Sequence, residues 1–389
     1  MGSPGSRSWI QRLLIIVSAV LAVGGLTATS SVAYGVYRVR RVPQVAVADV
    51  LTPLGPMASP ADEGEGPVAP TLPFNVLLVG DSSRDFVETG EDERSFGRDA
   101  GGGSDSIVLV RIDPEAGTAA TLPFPRDLWV ELADGSGTMR INRAYEIGGA
   151  RLLIQTIQER FDVPVHHYAR VDFEGFRGLV DAVGGITLAL EAPVRDFDRS
   201  PEGFGRNQSG LDIPAAGCVT LDGDQALAYV RSRHLEQLVD GRWVPDGRSD
   251  FARSERQQQF LRQVLAKGLA EGLLSPGRIL DLLQVADETI SFSDDLDVED
   301  IADLVLDIRR ISPDAFADYA LPVTDLVTPA GAQVLELVPE AAAPIFDVFR
   351  GIAPLPTTTT PAAPGPGTGD PPPVEPVPTV TTVPPAPLC

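Results

Sequence analysis

An α/β fold, a mixed β-sheet flanked by helices, is the class this sequence predicts, and three observations carry the prediction. Short β-branched runs such as FNVLLVG (74–80) and SIVLVRID (106–113) alternate with stretches of helical period. Turn chemistry at DPEAG (113–117) joins two such runs into a hairpin, so the sheet is mixed rather than all parallel. An uncharged stretch at one end and a Pro/Thr-rich stretch at the other bracket this alternation and stand outside it.

Taken in order, residues 1–12 form a short amino-terminal segment. Leu13 to Tyr37 carries no charge, and Arg12 and Arg38 bracket it. At roughly 1.5 Å per residue the stretch is long enough to cross a hydrocarbon layer of about 30 Å, so 13–37 reads as one transmembrane helix. A cleaved signal peptide competes with that reading, although its apolar region is usually only about 7–15 residues. Arg7 and Arg12 before the span and Arg38, Arg40 and Arg41 after it orient it poorly. Residues 38–73 are rich in Pro, Ala, Gly, Glu and Asp without an apolar period and read as an exposed linker.

The folded domain is expected over 74–352. Its strands are 74–80, 106–113, 118–124, 166–171 and 186–190, with a further run at QVLELV (333–338). Its helices are 148–160, 173–183, 222–231, 250–270, 275–287 and 298–310, followed by AAAPIFDVF near the end. Residues 353–389, with TTTTPAAPGPG and PPPVEPVP, cannot bury a core and read as a disordered, extended tail.

With 43% apolar residues among 389, a sizeable core can form. The formal net charge of −23 excludes a general nucleic-acid binder, which needs an excess of Lys and Arg on its contacting face. Any anion site is therefore a local exception. Lys267 is the only lysine, so a preference for Arg carries little chemical meaning by itself. Cys218 and Cys389 lack zinc spacing, and a single disulfide clasp outside the cell is one use for them. His166, His167 and His234 show no metal-binding spacing and read as structural.

The segment SDFARSERQQQFLRQVLAKGL (249–269) is the most informative for chemistry. Leu261, Val264, Leu265 and Leu269 mark its buried face, and stepping back by four places Gln257 and then Arg253 on the same stripe. Unpaired burial of an Arg is costly, so the stripe faces either a cleft that holds an anion or an internal carboxylate. Before it, LDGDQALAYVRSRH (221–234) reads as a helix ending in Arg231 and Arg233, which serve either an anion or the helix dipole. Arg126 in PFPRDLW follows a strand, where α/β sheets tend to hold ligands, or else it pairs with Asp127. Strand 74–80 runs into GDSSR (80–84) and the next strand opens with SDS (104–106), so Asp81 and Asp105 meet near one sheet edge together with Arg84. Carboxylates beside several arginines suit a magnesium pyrophosphate site.

In this order, the stretches LLVGDSSR (77–84), SDSIVLVRID (104–113), PRD (125–127), RINRAY (140–145), FEGFRGLVDAVGGI (173–186), LDGDQALAYVRSR (221–233) and DFARSERQQQ (250–259) closely resemble the LytR-CpsA-Psr family of cell-wall glycopolymer transferases. The resemblance covers roughly 74–270, with similar organisation to about 352. It implies one amino-terminal membrane helix, a cytoplasmic amino terminus and an extracytoplasmic α/β domain with an apolar groove for a polyprenyl chain. It implies pyrophosphate contacts from Arg126, Arg231, Arg233 and Arg253 with Gln257 nearby, and Mg²⁺ held through Asp105; Arg84 joins the first set and Asp81 the second as candidates from their place at the sheet edge. Asp250 would deprotonate an acceptor hydroxyl or orient an Arg, with Arg253 beside it in catalysis. One departure stands out: the family's G-x-D-x-R acid falls here on Ser82, while Asp81 comes one residue early, so either Asp81 replaces that acid through a local shift or the metal loses one carboxylate.

What the resemblance implies is transfer of a polyprenyl-pyrophosphate-linked glycan to peptidoglycan by Mg²⁺-dependent phosphoryl-type chemistry, at the membrane and without nucleic acid. A non-catalytic module binding the same lipid-linked glycans, and a polyprenyl-pyrophosphate phosphatase, are the alternative readings.

Overall fold

A computed structural model describes residues 43–54, 72–81, 104–200, 205–246, 249–270, 289–296, 298–312 and 315–355. Seven strands form the main sheet: β1 (Gln44–Val45), β2 (Phe74–Asp81), β3 (Ser104–Asp113), β4 (Thr118–Pro123), β5 (His167–Asp172), β6 (Ile290–Ser293) and β7 (Phe316–Asp318). Their spatial order is β1-β6-β5-β2-β3-β4-β7. The sheet is mixed: β2 pairs parallel with β5 and antiparallel with β3, and β3 pairs antiparallel with β4. The 113–117 hairpin forms, with Asp113 Oδ1 accepting from the Ala116 N–H at 2.9 Å and Gly117 at φ 65°.

Side-chain alternation along the strands gives the sheet two apolar faces. Leu77, Val79, Ile107, Leu109 and Tyr168 face one core, which is filled by Leu153, Ile154 and Ile157 of helix α1 (Asn142–Phe161) and by Phe346 and Phe349 of a later helix, Pro339–Arg350. Phe74, Val108, Val110 and Ile112 face the opposite core. A third core lies between α2 (Phe173–Ala182), α3 (Gly223–Arg231) and the strand pair Ile186–Leu190 and Gly217–Leu221.

Helix α4 (Ser249–Ala270) joins the last two cores, since Leu261 packs into one while Phe260 and Val264 pack into the other. A side-chain network fixes it to the sheet. Gln258 Nε2 donates to Thr121 Oγ1 at 3.2 Å and to the Tyr319 carbonyl at 2.9 Å. Thr121 Oγ1 donates to Asp318 Oδ1 at 2.7 Å, and Arg262 pairs with Asp318. The amino-terminal turns of α4 are thereby held where the cores meet.

Several boundaries differ from the sequence reading. The 38–73 segment is not linker throughout: β1 pairs parallel with β6, and Val47 is buried in the main core, so Gln44–Val47 belong to the folded domain. A two-residue strand has too few positions to show a period. Helix α1 starts at Asn142 rather than 148, because Gly149 at φ 63° interrupts a helix that resumes beyond it. The strands Val194–Asp196, Asp212–Ile213, Leu235–Val239 and Arg242–Pro245 form a four-stranded sheet that the sequence reading leaves as loop. The fold reaches Leu355, which is buried against the main core. The expected membrane span at 13–37, the helix at 275–287 and most of the 353–389 tail lie outside the described residues. Among the described residues no helix is long and apolar enough to cross a membrane. Cys218 is disulfide-bonded; Cys389 lies outside the described residues.

Candidate active site

Because β2, β4 and β5 run in the same direction, their carboxyl ends share one edge with the amino end of β3. This edge carries the chemistry, as α/β sheets commonly arrange it. Asp81 is in register with Asp172 on one side and with Ser104 on the other, after an irregularity between Gly80 and Asp81. The backbone therefore places Asp105 beside Asp81, and Arg126 follows the end of β4. Gly80 faces Ser106 closely enough that a Cβ there would stand 3.2 Å from the Ser106 Cβ.

Asp81 is 2% exposed. Arg170 of β5 meets its Oδ2 at 3.1 Å, and the Tyr145 hydroxyl donates to the same oxygen at 3.2 Å. Tyr145 reaches it because the first part of α1, before the Gly149 break, lies over this edge. Burial pushes the Tyr145 hydroxyl up, and the Asp81 charge adds to the shift, so the phenol keeps its proton and remains a donor. Tyr168 is pushed up further by burial and by Tyr145. Asp172 is also raised by burial, even though its carboxylate caps α2 by accepting from the Gly175 N–H at 2.8 Å.

Two routes of contact connect this edge to the arginine segments. Ser106 Oγ donates to Gln257 Oε1 at 3.1 Å, and Gln257 Nε2 donates to the Val230 carbonyl at 3.3 Å, directly before Arg231. From the other side, Phe173 follows Asp172, and the Arg231 guanidinium lies 4.2 Å from the centre of its ring. Ser106, Gln257, Phe173 and Arg231 are thus linked at this edge on the α4 face of the sheet, while the Asp81 side chain meets Arg170 and Tyr145 on the α1 face. Ser232 leaves the helix with ψ 125°, so Arg231 ends α3 while Arg233 follows it outside the helix, in a bend before the strand at Leu235.

The sequence-predicted residues divide accordingly. Arg231 and Gln257 stand together at the edge that holds Asp81. Arg253 lies one turn before Gln257 on α4 and is 5% exposed, as the stripe argument requires. Arg233 is half-buried. Arg126 makes the pair with Asp127 weighed from the sequence, at 3.4 Å, and Asp127 also receives Arg140 at 2.8 Å. The Arg126 carbonyl accepts from Asn142, so its loop abuts the start of the helix that carries Tyr145. Arg84 lies outside the described residues. Asp105 and Asp250 are placed by backbone on β3 and α4, and their side chains lie outside the described residues.

Tyr145, Arg170 and Arg256 went unassigned in the sequence. Arg256 had a legible signal, one helical turn from Arg253 on a helix buried on more than one side. Arg170, in a strand between apolar residues, offered none.

Magnesium, which the resemblance implies, takes one or two carboxylates and completes its shell with phosphate oxygens and water. The hard oxygens at this edge suit that mode: Asp81 provides a carboxylate whose Oδ2 already accepts from Tyr145 and Arg170, and Asp105 neighbours it in the backbone. Among the described residues there is no cluster of three or more His, Cys, Asp or Glu side chains able to hold an ion, and a metal held largely by phosphate does not need one.

The fold and this edge define a class: an α/β domain that gathers arginines, an amide and carboxylates at the carboxyl ends of its parallel strands. A model of the LytR_cpsA_psr family matches residues 59–345, and the chain belongs to that family. It is similar to the polyisoprenyl-teichoic acid--peptidoglycan teichoic acid transferase TagU of Halalkalibacterium halodurans, 27% identical over 68% of this chain and 77% of that protein. The probable cell wall biosynthesis protein LcpB of Corynebacterium glutamicum is 32% identical over 72% of this chain and 63% of that one. TagU of Bacillus cereus is 31% identical over 56% of this chain and 60% of its own length. The chain thus spans about three fifths of the length of the latter two. The fold is shared with a LytR-Csp2A-Psr enzyme from Actinomyces oris, at TM-score 0.57, 22% identity and coverage of 79% of this chain and 96% of that one. It is also shared with TagT bound to LI-WTA, at TM-score 0.51, 23% identity and coverage of 72% and 91%.

Proposed function

We propose that this chain is a membrane-anchored transferase that moves a polyprenyl-pyrophosphate-linked glycopolymer onto peptidoglycan outside the cell. The observation that carries the reading is that Gln257 and Arg231 reach, through Ser106 and Phe173, the end of the sheet that also carries Asp81 and Asp105, so cationic and amide donors and carboxylates share one edge. Family membership and the transferase names of the relatives support the same activity.

In this reading Arg126, Arg231, Arg233 and Arg253, with Arg84, hold the diphosphate, and Gln257 orients it. An acceptor sugar hydroxyl attacks the phosphorus next to the glycan; a new P–O bond forms to the acceptor as the anhydride P–O bond breaks, and polyprenyl phosphate leaves. The acceptor proton passes to a carboxylate, for which Asp250 is the candidate. Fixed arginines stabilise the charge that builds on the phosphoryl oxygens. When bound through Asp105 and Asp81, Mg²⁺ would supply further charge neutralisation there. The 13–37 segment would keep the domain beside a donor whose lipid holds it in the bilayer.

The test is to incubate the purified chain with a synthetic polyprenyl-pyrophosphate glycan, peptidoglycan fragments and Mg²⁺ and to identify products by mass. Acceptor carrying glycan phosphate, lost with EDTA and reduced at least about a hundredfold in Arg253→Ala, is the expected result. Free glycan phosphate would make the protein a pyrophosphatase, and binding without turnover would make it a carrier module.

A further inference from the structure

Two arginines of α4, Arg253 and Arg256, are buried one turn apart, and only the first has a part in the function proposed above. Arg256 is 6% exposed and points into the junction between α3 and the four-stranded sheet. Its Nη2 donates to the Ser232 carbonyl, its Nη1 lies 3.4 Å from Asp246 Oδ2, and its guanidinium stands 5.9 Å from the centre of the Tyr229 ring.

Ser232 is the middle residue of Arg231-Ser232-Arg233 and is itself fully buried. Each of its polar groups has a protein partner. Its N–H donates to the Ala228 carbonyl at 3.0 Å, its Oγ donates to Asp196 Oδ2 at 2.7 Å, and its carbonyl accepts from Arg256. The adjoining Val230 carbonyl is held by Gln257, the next residue of α4. The turn that decides where the Arg231 and Arg233 side chains emerge is therefore clamped by consecutive residues of the helix that carries Arg253. Asp246, in turn, has its N–H bonded to the Leu235 carbonyl at 2.9 Å, which anchors the clamp in the four-stranded sheet.

We infer that Arg256 is a positioning residue: without touching the diphosphate, it presets the Arg231-Ser232-Arg233 turn against α4 so that three arginines from two segments converge on one anion. This inference rests on the diphosphate reading above. A guanidinium suits the task because its planar fork serves a carbonyl and a carboxylate at once, which an ammonium on a flexible stem does not reproduce.

The test is calorimetric titration of the full chain in detergent micelles with farnesyl diphosphate, for wild type, Arg256→Met, Arg256→Lys, Arg231→Met and the Arg231→Met/Arg256→Met pair. Arg256→Met is expected to weaken binding about tenfold, of the order one charge-assisted hydrogen bond supplies, with Arg256→Lys restoring little of it. On the Arg231→Met background the same change should cost much less, because it acts through that arginine. Equal affinity in Arg256→Met, or losses that multiply independently, overturns the inference and leaves the diphosphate reading standing. Should Arg256→Met not fold, Asp246→Asn takes its place under the same criteria. A wild type that does not bind the probe overturns the diphosphate reading, and amide exchange at Ser232 and Arg233 then decides the clamp alone: faster exchange in the variant supports it, and unchanged exchange refutes it.

Discussion

Removing the Asp318 carboxylate should destabilise the protein severely, because it is the centre of the network that holds α4 on the sheet. Asp318 is 3% exposed, accepts from Thr121 Oγ1 at 2.7 Å and pairs with Arg262, itself largely buried. Asp318→Leu leaves the Arg262 guanidinium in a low-dielectric site without its counter-charge, a change that costs about 3–5 kcal/mol. Against a total stability of roughly 5–15 kcal/mol, that is a large fraction. Arg262→Met leaves the carboxylate stranded instead and should cost a similar amount. The double change Asp318→Leu/Arg262→Met removes both charges, and its cost should fall to within about 1 kcal/mol of wild type, since a buried ion pair and a well-packed apolar pair are often equivalent. Equilibrium urea denaturation of the four proteins completes the cycle. Single variants that lose under about 1 kcal/mol, or a double variant as unstable as the sum of the singles, would refute the assignment.

Two further outcomes follow from buried groups. His166 accepts the Asn75 N–H on Nδ1 at 2.9 Å, which only the unprotonated ring can do. Burial first, then His167 and Arg111, bring its pKa from 6.5 down to about 4. Because the folded value is the lower one, its contribution is fully present above pH 6.5 and is lost as pH falls towards 4, by roughly 3 kcal/mol for a shift of this size. Denaturation midpoints measured across that window should fall in wild type and flatten in His166→Asn; equal slopes would show that His166 is not the group. Tyr145→Phe deletes one donor to the buried Asp81 carboxylate and should cost about 2 kcal/mol in urea unfolding, whereas an unchanged midpoint would remove Tyr145 from the site.

Much of this architecture was legible because it is carried by period and turn chemistry. The β2 and β3 runs, the 113–117 hairpin and helix α4 lie where alternation and helical spacing put them, and the spacing along α4 pointed to Arg253, which is buried, and to Gln257, which bonds to Ser106 of the sheet. What escaped was short or non-local. β1 is defined by its partner β6, far along the chain, and the strands from Val194 to Pro245 include ones too brief to show a pattern. Tyr145 was hidden because Gly149, four residues after it, breaks the helical register that the rest of α1 follows. The pairing of Asp81 with Arg170 depends on parallel strands 89 residues apart meeting in one register, which a single sequence does not encode locally.

The most direct test of the central claim is a crystal structure of the protein with a non-hydrolysable prenyl diphosphate. The account predicts the diphosphate at the carboxyl edge of β2 and β5, within hydrogen-bonding distance of Arg231 and Arg253 and beside Gln257. A diphosphate bound elsewhere, with these side chains unchanged and distant from it, would contradict the account.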